Sequence, residues 1–258
     1  MIFIKTEEEI ALMRESNMLV SKTHAMLARE VREGVTTNYL DKLAEAFIRD
    51  HGGIPGFLNY NGYPKSLCIS VNDVVVHGIP SDNMLQFGDI VSVDCGVYKN
   101  GFHGDSAYTF VIGDISPQVQ KLIDVTRECL FLGIEKAVAG NRTGDIGHAV
   151  QTHAEKNGFS VVRELVGHGV GRHLHEKPEV PNFGKSGQGV RLTENMVIAI
   201  EPMINMGRKE VKQMKDGWTI RTFDGKPSAH FEHSVVVRKN KAEILSDFEI
   251  IDKEVVRN

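Results

Sequence analysis

FGDIVSVDCGVYKNGFHGDSAYTFVIG, Phe87 to Gly113, decides how the rest of the chain is read. Apolar, largely β-branched residues run on both sides of YKNG, as in two strands joined by a tight turn. Two carboxylates break the pattern. Asp94 follows Ile90, Val91 and Val93 in an apolar run, and Asp105 opens the second strand. A half-buried strand should alternate apolar and polar residues. A carboxylate buried in one is costly unless it is paired or bound to a cation. If the loop is Lys99-Asn100, opposed residues sum to 199, and Asp94 lies directly across from Asp105. If the loop is Asn100-Gly101, the two are diagonal neighbours on one face. Alternation turns Cys95 to the opposite face, where it packs rather than ligates.

The same theme returns 107 residues later, where TENMVIAIE (Thr193–Glu201) ends an apolar run in Glu201. In AHFEHSVVV, Glu232 stands just before three valines, sharing a face with His230 and Ser234 while His233 points away. Helices precede both strand regions. Thr6 and Glu9 form a capping-box signal, and an amphipathic stretch from about 7 to 33 ends at Gly34. Thr37 caps a second helix, Asn38 to Asp50, which stops at Gly52-Gly53. Ser116-Pro117 starts a third helix that runs to about Ala139, and a fourth spans about Asp145 to Asn157. Strands fill Ile54–Gly113 and the chain from Phe159 onward. Helix, helix, strands thus occurs twice at an offset of about 110 residues. This predicts an α/β (α+β) fold whose helices cover a mainly antiparallel sheet. The expected organisation is one domain, residues 1–258, with similar halves at about 1–113 and 114–258.

Composition narrows the function. The chain is 41% apolar and 25% charged, the balance of a globular protein. No apolar run approaches the roughly 20 residues of a membrane span, and MIFIKTEEEI lacks the apolar core of a signal peptide. Three scattered cysteines, Cys68, Cys95 and Cys129, read as free thiols in a reducing cytosol. A net charge of -4 argues against nucleic acid as the main partner. No GxSxG elbow, phosphate loop or dinucleotide fingerprint is present.

Four misplaced acids that converge would repel unless cations lie among them. Two divalent ions balance four carboxylates, and an oxygen-rich set with one imidazole suits Mn, Fe or Co. The spacing therefore points to a two-metal hydrolase. A histidine-rich stretch, VGHGVGRHLHEKP (Val166–Pro178), carries three of the eleven histidines among three glycines. Spacing alone does not say whether His168, His173 and His175 form a metal site, a catalytic site or a surface loop.

VSVDCG, HGDSAYTF, VGHGVGRHLHE, IAIEPM and HFEHSVVV, in this order, resemble the metal-ligand motifs of the type I methionine aminopeptidases of the pita-bread superfamily (peptidase family M24). NYNGYPKSLCISVNDVVVHGIP and DGWTIRT extend the resemblance over nearly the whole chain. It implies a pseudo-two-fold pita-bread fold around a curved antiparallel sheet. Asp94 would chelate one divalent ion, Asp105 and Glu232 would bridge two, and His168 and Glu201 would hold the second. The ions would be Mn, Fe or Co, with Zn possible. A water or hydroxide bridging the ions would attack the scissile carbonyl while Glu201 moves the proton. His77 and His175 would touch the substrate and steady the developing charge. Tyr60, Tyr63, Cys68 and Trp218 would wall a methionine slot. His173 acquires no role. Phe57 and Leu174 stand where some relatives have cysteine and phenylalanine, and Cys95-Gly96 follows the first ligand in place of other small residues. The family activity is removal of the initiator methionine from nascent chains and peptides with a small second residue, by a cytoplasmic monomer, at the ribosome. By this resemblance the expected form is the minimal one, without the N-terminal zinc-finger extension and the large insertion of the type II enzymes. A proline-directed peptidase of the same fold is the nearest rival, and it usually carries an added N-terminal domain. An inactive binding relative would be expected to have lost ligands, yet all five are present.

Overall fold

At the N-terminus the capping box forms. Thr6 Oγ1 accepts from Glu9 N at 3.2 Å, and Glu9 Oε2 accepts from Thr6 N at 3.0 Å. It opens α1 (Glu7–Ala28). The computed structural model describes residues 2–255. α1 stops before the expected 33, because the N–H groups of Glu30 and Val31 both turn onto Leu27 O and Val31 drops into the core. α2 (Thr37–Asp50) is capped by Thr36, not Thr37. The Thr37 hydroxyl is engaged instead with Ser81 N and O.

The strands β1 (Ile54–Pro55), β2 (Leu67–Val71), β3 (Val74–Val76), β4 (Ile90–Lys99) and β5 (Phe102–Val111) follow. The β4–β5 register pairs Lys99 with Phe102, so the loop is Asn100-Gly101. Both loop residues have positive φ, 52° and 86°, the signature of a type I′ hairpin turn. Asp94 is therefore opposite Ala107, Asp105 is opposite Gly96, and the two acids are diagonal neighbours.

The second half begins with α3 (Pro117–Lys136) and α4 (Thr143–Lys156), and α3 starts 110 residues after α1. α3 ends short of Ala139 because Val138 and Ala139 leave the helix to pair with Arg238. α4 begins two residues early, with Asp145 reaching back to Arg142 N at 2.8 Å. Ten short strands and a closing helix complete the chain: β6 (Ser160–Val161), β7 (Gly167–Gly169), β8 (Glu176–Val180), β9 (Val197–Ile200), β10 (Met203–Asn205), β11 (Val211–Gln213), β12 (Ile220–Thr222), β13 (Ser228–His230), β14 (His233–Val236), β15 (Glu243–Ile244) and α5 (Glu249–Val255). All strand pairs among the described residues are antiparallel. They form four ladders rather than one sheet: β1-β4-β2 with β5 on β4, β13-β10-β6, β11-β12-β3, and β15-β14-β9-β7-β8.

Two of these ladders share one register. His233 pairs with Ile200, and Met203 pairs with His230, so opposed residues sum to 433 on both sides of a break. In the break Glu201 faces Glu232. The cause is local. Pro202 has no N–H to give, and Glu232 N turns to Ala107 O on β5 at 3.0 Å. Hydroxyls complete the seam between the halves. Ser106 Oγ donates to Glu232 O at 2.6 Å, Ser234 Oγ to Asp105 O at 2.9 Å, and Thr109 Oγ1 to His230 O at 2.7 Å. The apolar core surrounds this seam, with Val20 and Leu27 of α1, Val91 and Val93 of β4, Ile134 of α3 and Ile198 of β9 all buried. No described helix is long and apolar enough to cross a membrane. All three cysteines are free and buried, and Cys95 lies in the main core, on the side away from Asp94.

Candidate metal centre

The register rules bring four acids from two hairpin-like ladders to one place. Asp94 is across from Ala107, and the carbonyl of Ala107 takes Glu232 N. Glu201 is then carried in opposite Glu232. β7 runs beside β9 and adds His168. Its Nε2 is 3.5 Å from Glu201 Oε1 and 3.8 Å from Asp105 Oδ2. One ligand atom each from Asp105, His168 and Glu232 lies within 4.8 Å of the others. Asp94 and Glu201 border the same cavity outside that tight trio.

The imidazole of His168 is fixed by its neighbour. Nδ1 is 2.9 Å from Gly169 O, which can only accept, so Nδ1 carries the proton and Nε2 presents a bare lone pair to the acids. The glycines beside it serve the strand packing, not a ligand. A Cβ at Gly167 would lie 2.3 Å from Ala199 O, and one at Gly169 2.4 Å from Lys177 O. His175 packs its ring edge-on against His168, with centroids 4.2 Å apart, and its Nδ1 is 2.7 Å from Tyr60 Oη. His173 is exposed and lines no part of this cavity. His77 is held at φ 57°, a left-handed backbone that few side-chain-bearing residues adopt.

All eleven residues to which the resemblance gives a role line one cavity of about 200 Å³, and Phe57, Asn61 and Leu174 join them. One end is the acid cluster. The other is an apolar slot. Cys68 is the cross-strand partner of Asp94 and so shares its face. Trp218 packs edge-on against Tyr63 at 5.1 Å and against His77 at 6.4 Å. Its loop is held by Asp216 Oδ1, which accepts from Trp218 N and Thr219 N. The Phe57 ring lies over Gly96, where a Cβ would meet it at 2.5 Å. Wider surface hollows of about 430 and 590 Å³ exist elsewhere, but neither gathers acids and imidazoles in this way.

The electrostatics call for cations. Burial pushes the Asp94 carboxyl up to about 7. Burial, and then repulsion from neighbouring acids, raises Asp105, Glu201 and Glu232 well above the usual carboxylate range. Burial lowers His168 to about 3 and His77 to about 4, and it lowers His175 as well. Asp94 Oδ1, Asp105 Oδ1 and Glu232 Oε1 are buried without any hydrogen-bond partner. Unpartnered buried acceptors beside a neutral imidazole with a free lone pair are what a divalent cation satisfies. The donor set fits the metal.

Sequence reasoning gave no role to His230. It is buried, its Nε2 has no partner, and it is 3.8 Å from Glu201 Oε2. Alternation placed it on the face of Glu232, and that was the available signal.

This arrangement defines a metallopeptidase, and the chain belongs to metallopeptidase family M24, whose model matches residues 11–239. A methionine aminopeptidase of Clostridium perfringens is 53% identical over 95% of this chain and 99% of its own length. Methionine aminopeptidase 1 of Bacillus subtilis is 48% identical over the same shares. The crystal structure of methionine aminopeptidase from Rickettsia prowazekii superposes with a TM-score of 0.94 at 44% identity, covering 96% of this chain and all of that one. Within family M24 the chain thus stands among the type I methionine aminopeptidases. It has the pita-bread fold and is a metal-dependent aminopeptidase that uses divalent metal.

Proposed function

We propose that this chain removes the N-terminal methionine from nascent proteins and peptides, preferring a small second residue. It does so as one catalytic domain spanning 1–258, with halves at about 1–113 and 114–258. The observation that carries the reading is a single cavity joining the acid and imidazole cluster to an aromatic, sulfur-lined slot. Asp94 would chelate one ion, Asp105 and Glu232 would bridge, and His168 and Glu201 would hold the second, with Mn, Fe or Co favoured and Zn possible. Divalent ions bound there supply positive charge that polarises the scissile carbonyl and acidifies the attacking water.

The protein's own groups do the rest. Glu201, half-buried and lining the acid end of the cavity, accepts the proton of that water and returns it to the leaving amine. His77 and His175 donate hydrogen bonds to the carbonyl oxygen as it becomes negative. Neutral imidazoles serve this role, and partial desolvation in the cavity lowers both pKa values, favouring the neutral form. The thioether of methionine enters between Tyr63, Cys68 and Trp218, where soft apolar surface suits it. His175, His168 and Tyr60 crowd the acid end, which supports the limit on the second residue. The substrate amine is first exposed as chains leave the ribosome, so we place the protein in the cytoplasm, acting there as a monomer.

An anaerobic, metal-titrated peptide assay scanning the first and second residues tests this. Met-Ala-Ser should be cleaved only with added divalent metal, and bulky second residues should slow it. Faster cleavage of X-Pro peptides with no methionine activity would overturn the reading.

A further inference from the structure

We infer that His230 is a positioning residue for Glu201, with its Nε2–H holding Oε2 of the carboxylate while Oε1 faces His168. The inference rests on the proposed function to the extent that Glu201 is the proton carrier. Its basis is the geometry around that one carboxylate. Glu201 is bracketed by two imidazoles, with His168 Nε2 3.5 Å from Oε1 and His230 Nε2 3.8 Å from Oε2. The two are chemically different. His168 uses its only N–H on Gly169 O and offers Glu201 a lone pair. His230 Nε2 is buried with no partner, and a buried polar group of this kind is rarely left unpaired.

The backbone that carries the buried ring is fixed in place. Thr109 Oγ1 holds the His230 backbone from both sides, accepting from its N at 3.2 Å and donating to its O at 2.7 Å. Thr109 is itself bonded to Ser92 Oγ at 2.8 Å, and His230 pairs with Met203 in the ladder. The backbone of Glu201 is also anchored, through Asn182 Nδ2 to Glu201 O at 2.9 Å. The free element is the carboxylate, whose terminal torsion is broad. Closing from 3.8 Å to hydrogen-bond length takes a movement of roughly 0.8 Å. With Oε2 held, the carboxylate keeps one orientation toward the reacting end of the cavity. This serves turnover rather than substrate affinity.

The test compares the full-length wild type with H230Q, which keeps an N–H donor, and H230L, which fills similar space without one. In metal-free, ¹⁵N-histidine-labelled protein, His230 should show a slowly exchanging Nε2–H proton that is lost in E201A. With Met-Ala-Ser and Mn²⁺, H230L should lose kcat by roughly 10- to 100-fold, the range for a hydrogen bond to a charged group. Its KM should stay within about twofold, since the methionine slot is untouched. H230Q should recover most of that loss. A wild-type kcat in H230L overturns the inference, as does an H230Q defect equal to that of a folded H230L. Absence of the protected Nε2–H signal overturns it without reference to activity. Wild-type protein that cleaves no methionine peptide would instead overturn the proposed function, and the NMR arm would still decide the contact.

Discussion

Replacing Tyr60 by phenylalanine separates two roles for one side chain. As a wall of the methionine slot, Tyr60 contributes its ring, and Tyr60→Phe preserves that. As a partner of His175, it contributes the hydroxyl 2.7 Å from Nδ1. For a neutral His175 to donate to a substrate carbonyl, Nε2 must carry the proton and Nδ1 must accept, so Tyr60 is the donor. The net worth of one such neutral hydrogen bond is about 1 kcal/mol, or about fivefold in rate. Tyr60→Phe should lower kcat/KM for Met-Ala-Ser about fivefold, mostly through kcat, with methionine preference intact. The decisive assay is a double-mutant cycle with His175→Ala. Once His175 is gone, the hydroxyl has nothing to orient, and adding Tyr60→Phe should cost nothing further. If it costs the same fivefold in both backgrounds, Tyr60 acts only through the slot and the orientation argument fails.

Three further outcomes follow from the geometry. The four acids have folded pKa values above their unfolded ones, so the fold retains protons that the unfolded chain releases, and stability falls as pH rises between those values. Below about pH 6.5, desolvated histidines such as His168 and His77, whose pKa values are depressed, act in the opposite sense. Above it only the acids remain, so metal-free protein should melt at a lower temperature at pH 8 than at pH 6.5, and Mn²⁺ should remove the difference; a flat metal-free profile would count against buried, cation-starved acids. Phe57→Ala opens the slot over Gly96 and should weaken discrimination between methionine and phenylalanine as first residue by about tenfold, read from paired kcat/KM values. Gly167→Ala drives a Cβ against Ala199 O and should cost about 1–3 kcal/mol of stability in urea melts, with weaker Mn²⁺ binding as His168 is displaced.

The hairpin acids were legible because Asn-Gly is a strong turn signal and alternation is strict around it. Both candidate loops kept Asp94 near Asp105, and the structure selected the diagonal pair. Glu201 and Glu232 could be read only as misplaced acids. Their direct opposition depends on a register that spans residues 206–227, and no local pattern encodes it. Glycine marks the end of α2 correctly, but α1 and α3 end several residues before the glycine that follows them. At Val31 and Ala139 the chain has already left the helix, drawn off by the core and by pairing with Arg238. Thr36 and Thr37 are adjacent hydroxyls, and composition does not choose between them. The slot walls come from separated segments around Phe57 to Cys68, at Leu174 and at Trp218, so only the family resemblance gathered them. The strained φ of His77 and the unpartnered Nε2 of His230 are three-dimensional facts with no sequence signature.

The shared register on either side of Pro202 has an implication for how such a protein changes over time. The acids are set by the ladder flanks, 197–205 and 228–236, while Trp218 rides on the excursion between them. Lengthening or reshaping that excursion leaves the summed register, and hence Glu201 and Glu232, where they were. A one-residue insertion at Pro202 would instead throw every rung on one side out of phase. The molecule therefore keeps Glu201 and Glu232 on the ladder flanks and one wall of the slot, Trp218, on a separately variable segment. New selectivity can be sampled in the excursion without first dismantling the catalytic end.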